Sequence, residues 1–209
     1  MRWRRWRRQG WLAGLLAGGG LVAAAYELPY VNWQPVVPPV DAHPLVVRMD
    51  AKGDGRFWSP RSGNRRHRGV DLAAPLNSPV RAIRSGTVAE TGTHRGLGRF
   101  IELEHRGGLR SLYGHLARVQ VEPGARVRQG DVIGLVGKTG NARHRWITPH
   151  VHLEVWRGGE PVDPAALGLE VTPPPGGGDG EARGGPPPAR GPAGPISCSL
   201  GLSTSSMSV

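Results

Sequence analysis

The sequence predicts a mostly β protein: a compact antiparallel β-sheet domain, flanked by an N-terminal signal or anchor segment and a disordered C-terminal tail. Three observations predict it. Short runs rich in Val, Ile and Leu alternate with polar residues between residues 80 and 156. Gly and Pro interrupt these runs at spacings that suit turns. No stretch there keeps an apolar period of 3.6 residues over three helical turns.

Composition divides the 209 residues into segments. Residues 1–26 begin with the positive stretch MRWRRWRRQG, continue into the apolar run WLAGLLAGGGLVAAAY and include the small-residue pattern Ala23-Ala24-Ala25. The apolar run is short and Gly-rich against the roughly 20 residues of a stable span. A cleaved signal peptide is the first expectation. The second is an uncleaved signal-anchor holding residues 11–26 in a membrane. Either makes the remainder extracytoplasmic, on the periplasmic or cell-wall side. Residues 27–43 are Pro-rich and read as an extended linker. Residues 169–209 are rich in Pro, Gly and Ser without a period and read as a disordered tail. The single cysteine, Cys198, lies in that tail, which excludes a disulfide framework and a cysteine zinc cluster.

Residues 44–168 are long enough to bury a core without such staples. VRAIRSGTVAET, Val80 to Thr91, reads as strand with a bend or bulge at Gly86. In RFIELEH, residues 99–105, Ile101 and Leu103 point one way and Glu102 and Glu104 the other. Gly107-Gly108 then turns the chain into LRSLYGHL. ARVQV, ARVRQGDVIGLVG and HVHLEVW follow, separated at Pro123-Gly124 and Gly130-Asp131.

The net charge of +11 sits mainly in this middle segment and is carried almost wholly by Arg. It invites a polyanionic partner. The chain shows no recognisable RNA- or DNA-binding module, and the export segment argues against nucleic acid.

Chemistry concentrates in three places. In HVHLEVW, alternation assigns Val151, Leu153 and Val155 to an apolar face and His150, His152 and Glu154 to the other. Two imidazoles two residues apart on a strand aim two nitrogens at one point, although a surface strand carries the same pattern for no reason. RRHRGVDLAAP supplies His67 and Asp71; Gly69, Val70 and the prolines at 60 and 75 argue for a loop running into a strand, and a satisfied Asp-His turn is the alternative. SLYGHL closes on His115.

Together HRGVD, YGHL, GDVIGLVGKTGN and PHVHLEV, in this order and approximate spacing, resemble the lysostaphin-type zinc metallopeptidases, or LytM domain, over about residues 50–167. EPVDP after the last strand fits as well. The resemblance implies a groove over one zinc ion held by His67, Asp71 and His152, with His115 and His150 catalytic. It implies an exported endopeptidase that cuts cross-links or stem peptides of peptidoglycan; a monomer is expected. The alternative it implies is a non-catalytic peptidoglycan-binding regulator, but such relatives lack one or more of these five residues, and all five are present here. Three protein ligands leave a fourth position for water, as catalytic zinc requires. With no H-E-x-x-H glutamate, His115 and His150 must handle the protons, in an order the sequence leaves open.

One departure stands out. Many relatives separate the Gly and Pro flanking this last loop by four residues; here Gly140 and Pro149 are separated by eight, NARHRWIT, and the loop is expected to wall one end of the groove. His43, His94, His105 and His144 are expected to take no part in the site.

Overall fold

The computed structural model describes residues 30, 32, 35–51 and 53–173. The expected export segment 1–26 and the tail beyond residue 173 lie outside the described residues.

The chain enters through β1 (Leu45–Val46) and two small hairpins, β2 (Met49–Asp50) with β3 (Gly53–Asp54) and β4 (Pro60–Arg61) with β5 (Arg65–Arg66). β6 (Gly69–Ala73) and β7 (Pro79–Arg81) follow, then the long strands β8 (Gly86–His94), β9 (Gly98–His105) and β10 (Leu109–Leu116). β11 (Arg118–Val119), β12 (Arg126–Val127) and β13 (Val132–Leu135) precede a 3-10 turn at Gly140–Arg143. β14 (His150–Arg157), β15 (Glu160–Val162), a 3-10 turn at Pro164–Leu167 and β16 (Val171–Thr172) complete the fold. No α-helix occurs among the described residues, and none of them forms a helix long and apolar enough to cross a membrane.

The main sheet runs β12-β8-β9-β10-β14-β15. β14 has a divided outer edge: β6 pairs antiparallel with His150–Glu154, and β15 with Val155–Arg157. A second sheet, β11-β13-β7, contributes further to the core. The alternation read from sequence is obeyed. Ile101, Leu103, Val151, Leu153 and Val155 are fully buried, and their neighbours Glu102 and Glu104 face outward. Each such Leu, Ile or Val removed from water stabilises the fold by about 1.5–3 kcal/mol. Gly107 and Gly108 both take positive φ, +80° and +70°, which the hairpin between β9 and β10 needs and glycine adopts without penalty.

His105, outside every motif, is a core residue. Its Nδ1 donates to Ser85 O at 3.0 Å, and its Nε2 lies 2.8 Å from Ser111 Oγ. Ser111 Oγ is hydrogen-bonded to Tyr113 Oη at 3.0 Å, and Tyr113 Oη accepts from Ile83 N at 2.9 Å. This buried chain of polar groups leaves each atom partnered. Burial, the largest influence, lowers the His105 pKa below its ordinary 6.5. The unfolded chain therefore binds more protons than the folded one once the pH drops below about 6.5. Stability contributed by neutral His105 is fully present above that value and falls as the solution is acidified. We expect the thermal midpoint to decrease from pH 7 to pH 5. In His105→Gln the midpoint should be lower at pH 7 and its pH slope shallower; an unchanged slope would exclude His105 as a source of the acid sensitivity.

Two boundaries differ from the sequence expectation. Within the linker, Val36 and Val40 are buried in the core. Val37 N donates to Ile83 O, Arg81 N donates to Pro39 O, and Val40 bridges Val80. At the other end Leu169 is buried, and β16 pairs in parallel with β1. The folded unit thus extends beyond 44–168 on both sides. Single apolar residues among prolines do not change a segment's average composition, yet each covers core surface that would otherwise face water.

Candidate metal centre

Strand register brings the site together. In the β6–β14 ladder His152 lies opposite Asp71, and His150 lies opposite Ala73. His67 sits two residues before β6 and is fixed by its backbone, whose N–H donates to Ser59 O and whose carbonyl accepts from Trp58 N. His67, Asp71 and His152 are all buried; as expected a loop runs into a strand here, with His67 on the loop and Asp71 within β6.

Three atoms converge. His67 Nε2 is 3.0 Å from His152 Nδ1 and 3.2 Å from Asp71 Oδ1; His152 Nδ1 is 2.8 Å from Asp71 Oδ1. The opposite side of each group fixes its chemistry. His67 Nδ1 donates to Arg56 O at 2.9 Å, which leaves Nε2 as the bare nitrogen. His152 Nε2 donates to Glu154 Oε1 at 3.0 Å, so Nδ1 presents its lone pair to the same point. Asp71 Oδ2 accepts from Arg48 Nη2 at 2.8 Å, leaving Oδ1 directed inward. Three lone pairs in a buried triangle repel unless a cation joins them. Zinc bonds of about 2.0–2.1 Å in a tetrahedron require ligand atoms roughly 3.3 Å apart, close to the observed spacings. These three residues can therefore hold a metal ion.

A proton is the competing cation. Burial opposes a charge on His152, but hydrogen bonds to Asp71 and Glu154 outweigh it and raise its pKa to about 9. Asp71 is pulled the other way: burial would raise its pKa, and the imidazoles of His152 and His67 hold it well below the carboxylate range. Proton and metal compete for the same lone pair.

His115 and His150 lie beside the triangle. Their rings meet edge-to-face, with centroids 4.8 Å apart, and His115 is 5.7 Å from the His152 ring. His150 gets there by strand alternation. His115 does not: Tyr113, two residues earlier, is buried in the core, and Gly114 is the residue opposite His152. A bulge between Tyr113 and Leu116, with φ +63° at His115, turns its ring onto the Gly114 side. Its Nδ1 donates to Thr139 O at 3.1 Å, and His150 Nδ1 donates to Thr148 O at 2.6 Å. Each Nε2 is left as a lone-pair base. Burial, followed by the neighbouring histidines, pushes the His115 pKa down to about 3. Burial also lowers His150. Both imidazoles are neutral at neutral pH.

All five histidine and aspartate positions singled out in the sequence are thus brought together. Two supporting residues were missed, Arg48 and Asp50. Arg48 pairs with Asp71 at 2.8 Å and, through Nη1, with Asp50 Oδ1 at 2.7 Å. Asp50 Oδ2 accepts from Thr148 N at 3.0 Å, and Thr148 O holds His150. One network therefore ties a ligand-bearing carboxylate to a neighbouring imidazole. Nothing in the local sequence VVRMD marks it; a burial requirement for Arg48 shows only in the folded chain. The long loop before β14 holds both flanking imidazoles at its ends, Thr139 and Thr148. Between them Ala142 and Ile147 are buried, while Trp146 is 55% exposed with the Arg145 guanidinium 3.7 Å above its ring. His144 is exposed and takes no part in the triangle.

Residues 65–164 match the family model described as peptidase family M23. The chain is 40% identical over 105 residues to the DD-carboxypeptidase/endopeptidase Mpg of Neisseria meningitidis serogroup B, covering 50% of this chain and 23% of that protein. It is 33% identical over 106 residues to the peptidoglycan DD-endopeptidase ShyB of Vibrio cholerae, covering 51% and 24%. Among solved structures it resembles a chain of the SpoIIIAH and SpoIIQ complex with a TM-score of 0.53 and 28% identity, covering 63% of this chain and 99% of that one. The chain spans about a quarter of the length of the curated relatives just described.

Proposed function

We propose that this chain, whose residues 65–164 match the model of peptidase family M23, is an exported zinc metalloendopeptidase that hydrolyses peptide bonds of peptidoglycan. The observation that carries the reading is the convergence of three ligand atoms beside two neutral imidazoles. A regulator that only binds peptidoglycan has no need of that complete set. The relatives named as acting on such bonds support the substrate class. Residues 1–26 would supply export or an anchor.

In this reading His67 Nε2, Asp71 Oδ1 and His152 Nδ1 would hold the zinc. When bound, it supplies a Lewis acid that lowers the pKa of water towards about 7 and polarises the scissile carbonyl. The chain's own groups do the rest. Arg48 holds Asp71 Oδ2 and leaves Oδ1 turned inward. Glu154, shared between His152 and Trp156 Nε1, orients the imidazole and is not available as a base. His115 and His150 present unprotonated Nε2 atoms. One of them accepts the proton of the attacking water, and that imidazole, now carrying a proton on Nε2, donates to the developing oxyanion and delivers the same proton to the departing amine.

The test is mass spectrometry of muropeptides released from purified sacculi by the full chain. Products that gain one water across a peptide bond are expected, lost on chelation and restored by zinc. Digestion surviving exhaustive chelation, or no digestion by zinc-loaded protein, would sink the proposal. The masses also identify the bond.

A further inference from the structure

Beside the metal centre lies a second concave site, of about 360 Å³, lined by His94, Arg95, Arg99 and Arg143 together with Thr139 and Gly140. No acidic side chain lines it. Among the described residues its three guanidiniums meet no carboxylate: Arg99 Nη1 donates to Ala117 O at 2.9 Å and Arg143 Nη1 to Gly140 O at 3.5 Å, both neutral acceptors. His94 Nδ1 accepts from Gly96 N and Leu97 N, which places its proton on Nε2. The cavity thus offers donors and positive charge. Three like charges around one space repel each other, and an oxyanion relieves that repulsion while taking charge-assisted hydrogen bonds.

The scaffold is held rather than loose. Thr139 Oγ1 accepts from Arg99 N and bonds to Leu116 O. Asn141 N donates to Gly96 O. Gly98, at φ +67°, packs so closely on Thr139 and Gly140 that a Cβ there would collide with both. Thr139 also belongs to the reacting side, since its carbonyl accepts from His115 Nδ1. One residue therefore separates the basic cavity from a flanking imidazole of the metal centre.

We infer that this cavity is an anion subsite of the same groove, receiving a carboxylate of the peptide being cut on the His115 side of the scissile bond. The inference rests on the peptidase reading above. A peptide whose carbonyl sits at the metal centre can carry a carboxylate within a residue or two, and Thr139 is the residue shared by His115 and the cavity.

The full zinc-loaded chain is tested on two cross-linked peptides, one with free carboxylates and one with them amidated. The wild type should prefer the free acid by about 10- to 100-fold in kcat/KM, as one or two charge-assisted bonds allow. Arg95→Gln with Arg143→Gln should abolish that preference while leaving the amidated peptide's kcat/KM unchanged. An unchanged preference, or equal loss on both peptides, overturns the subsite. Should neither peptide be cut, the peptidase reading fails, and the subsite is judged by NMR titration with the same peptides. The free acid should shift the amides of Gly96, Gly98, Gly140 and Asn141 in the wild type and not in the double variant. Shifts by the amidated peptide of equal size, no shifts at all, or shifts by inorganic phosphate alone would overturn it, the last in favour of a phosphate-bearing polymer.

Discussion

His152→Ala is expected to eliminate both bound zinc and hydrolysis. The His152 imidazole faces both other candidate ligands. Its Nδ1 sits 2.8 Å from Asp71 Oδ1 and 3.0 Å from His67 Nε2, and its other nitrogen is anchored on Glu154. Losing a supporting partner of a metal ligand typically costs about 10- to 100-fold in affinity; losing the ligand itself should exceed that range. Metal content is expected to fall from roughly one per chain to background, and muropeptide release to fall with it. The fold should persist, because the β6–β14 ladder is made by backbone groups and Val151 and Leu153 remain in the core. A variant that keeps one zinc per chain and digests sacculi at the wild-type rate would refute the ligand assignment. Circular dichroism distinguishes loss of metal from loss of structure.

His115→Ala is expected to keep its zinc and lose turnover. His115 makes no contact with the ligand triangle beyond ring packing at 5.7 Å, and its Nδ1 is committed to Thr139 O. Under the proposed mechanism, what disappears is a neutral base beside the reacting atoms. General acid–base contributions of this kind are worth about 10²–10⁴-fold, and we expect kcat to fall within that range with KM little altered. Full activity in this variant would leave His150 as the sole proton carrier. Loss of zinc would instead make His115 a structural support of the metal centre. The two variants together separate binding from chemistry: one should remove metal and rate, the other rate alone.

Much of this site was legible before folding was considered. Alternation along HVHLEVW assigns His150 and His152 to one face because side chains two apart on a strand share it. Gly69, Val70 and the prolines at 60 and 75 argue against a helix around His67 and Asp71, and a loop entering β6 is what the fold contains. The hairpin at Gly107-Gly108 and the buried faces of β9 and β14 follow from the same local rules. Resemblance in four ordered motifs then joined segments that periodicity alone leaves separate. The domain edges were less legible. Val36, Val40 and Leu169 carry too little apolar signal in Pro-rich surroundings to announce that they enter a core.

By itself the sequence determined the β class, the turns, the shared face of His150 and His152, and the residue types available for a metal. These depend on chain-local sterics and on a period of two, which a reader can count. Only the tertiary structure decided how those residues meet. Simple alternation places His115 on the Tyr113 face; the bulge at φ +63° carries it to the opposite one. Arg48 can be buried because Asp71, 23 residues away, lies 2.8 Å from it, and because Asp50 completes the pairing. The three ligand atoms share one point because β6 pairs with β14 in a register that sets Asp71 opposite His152. Each of these depends on groups far apart in the chain, and their contacts exist only after the sheet has closed.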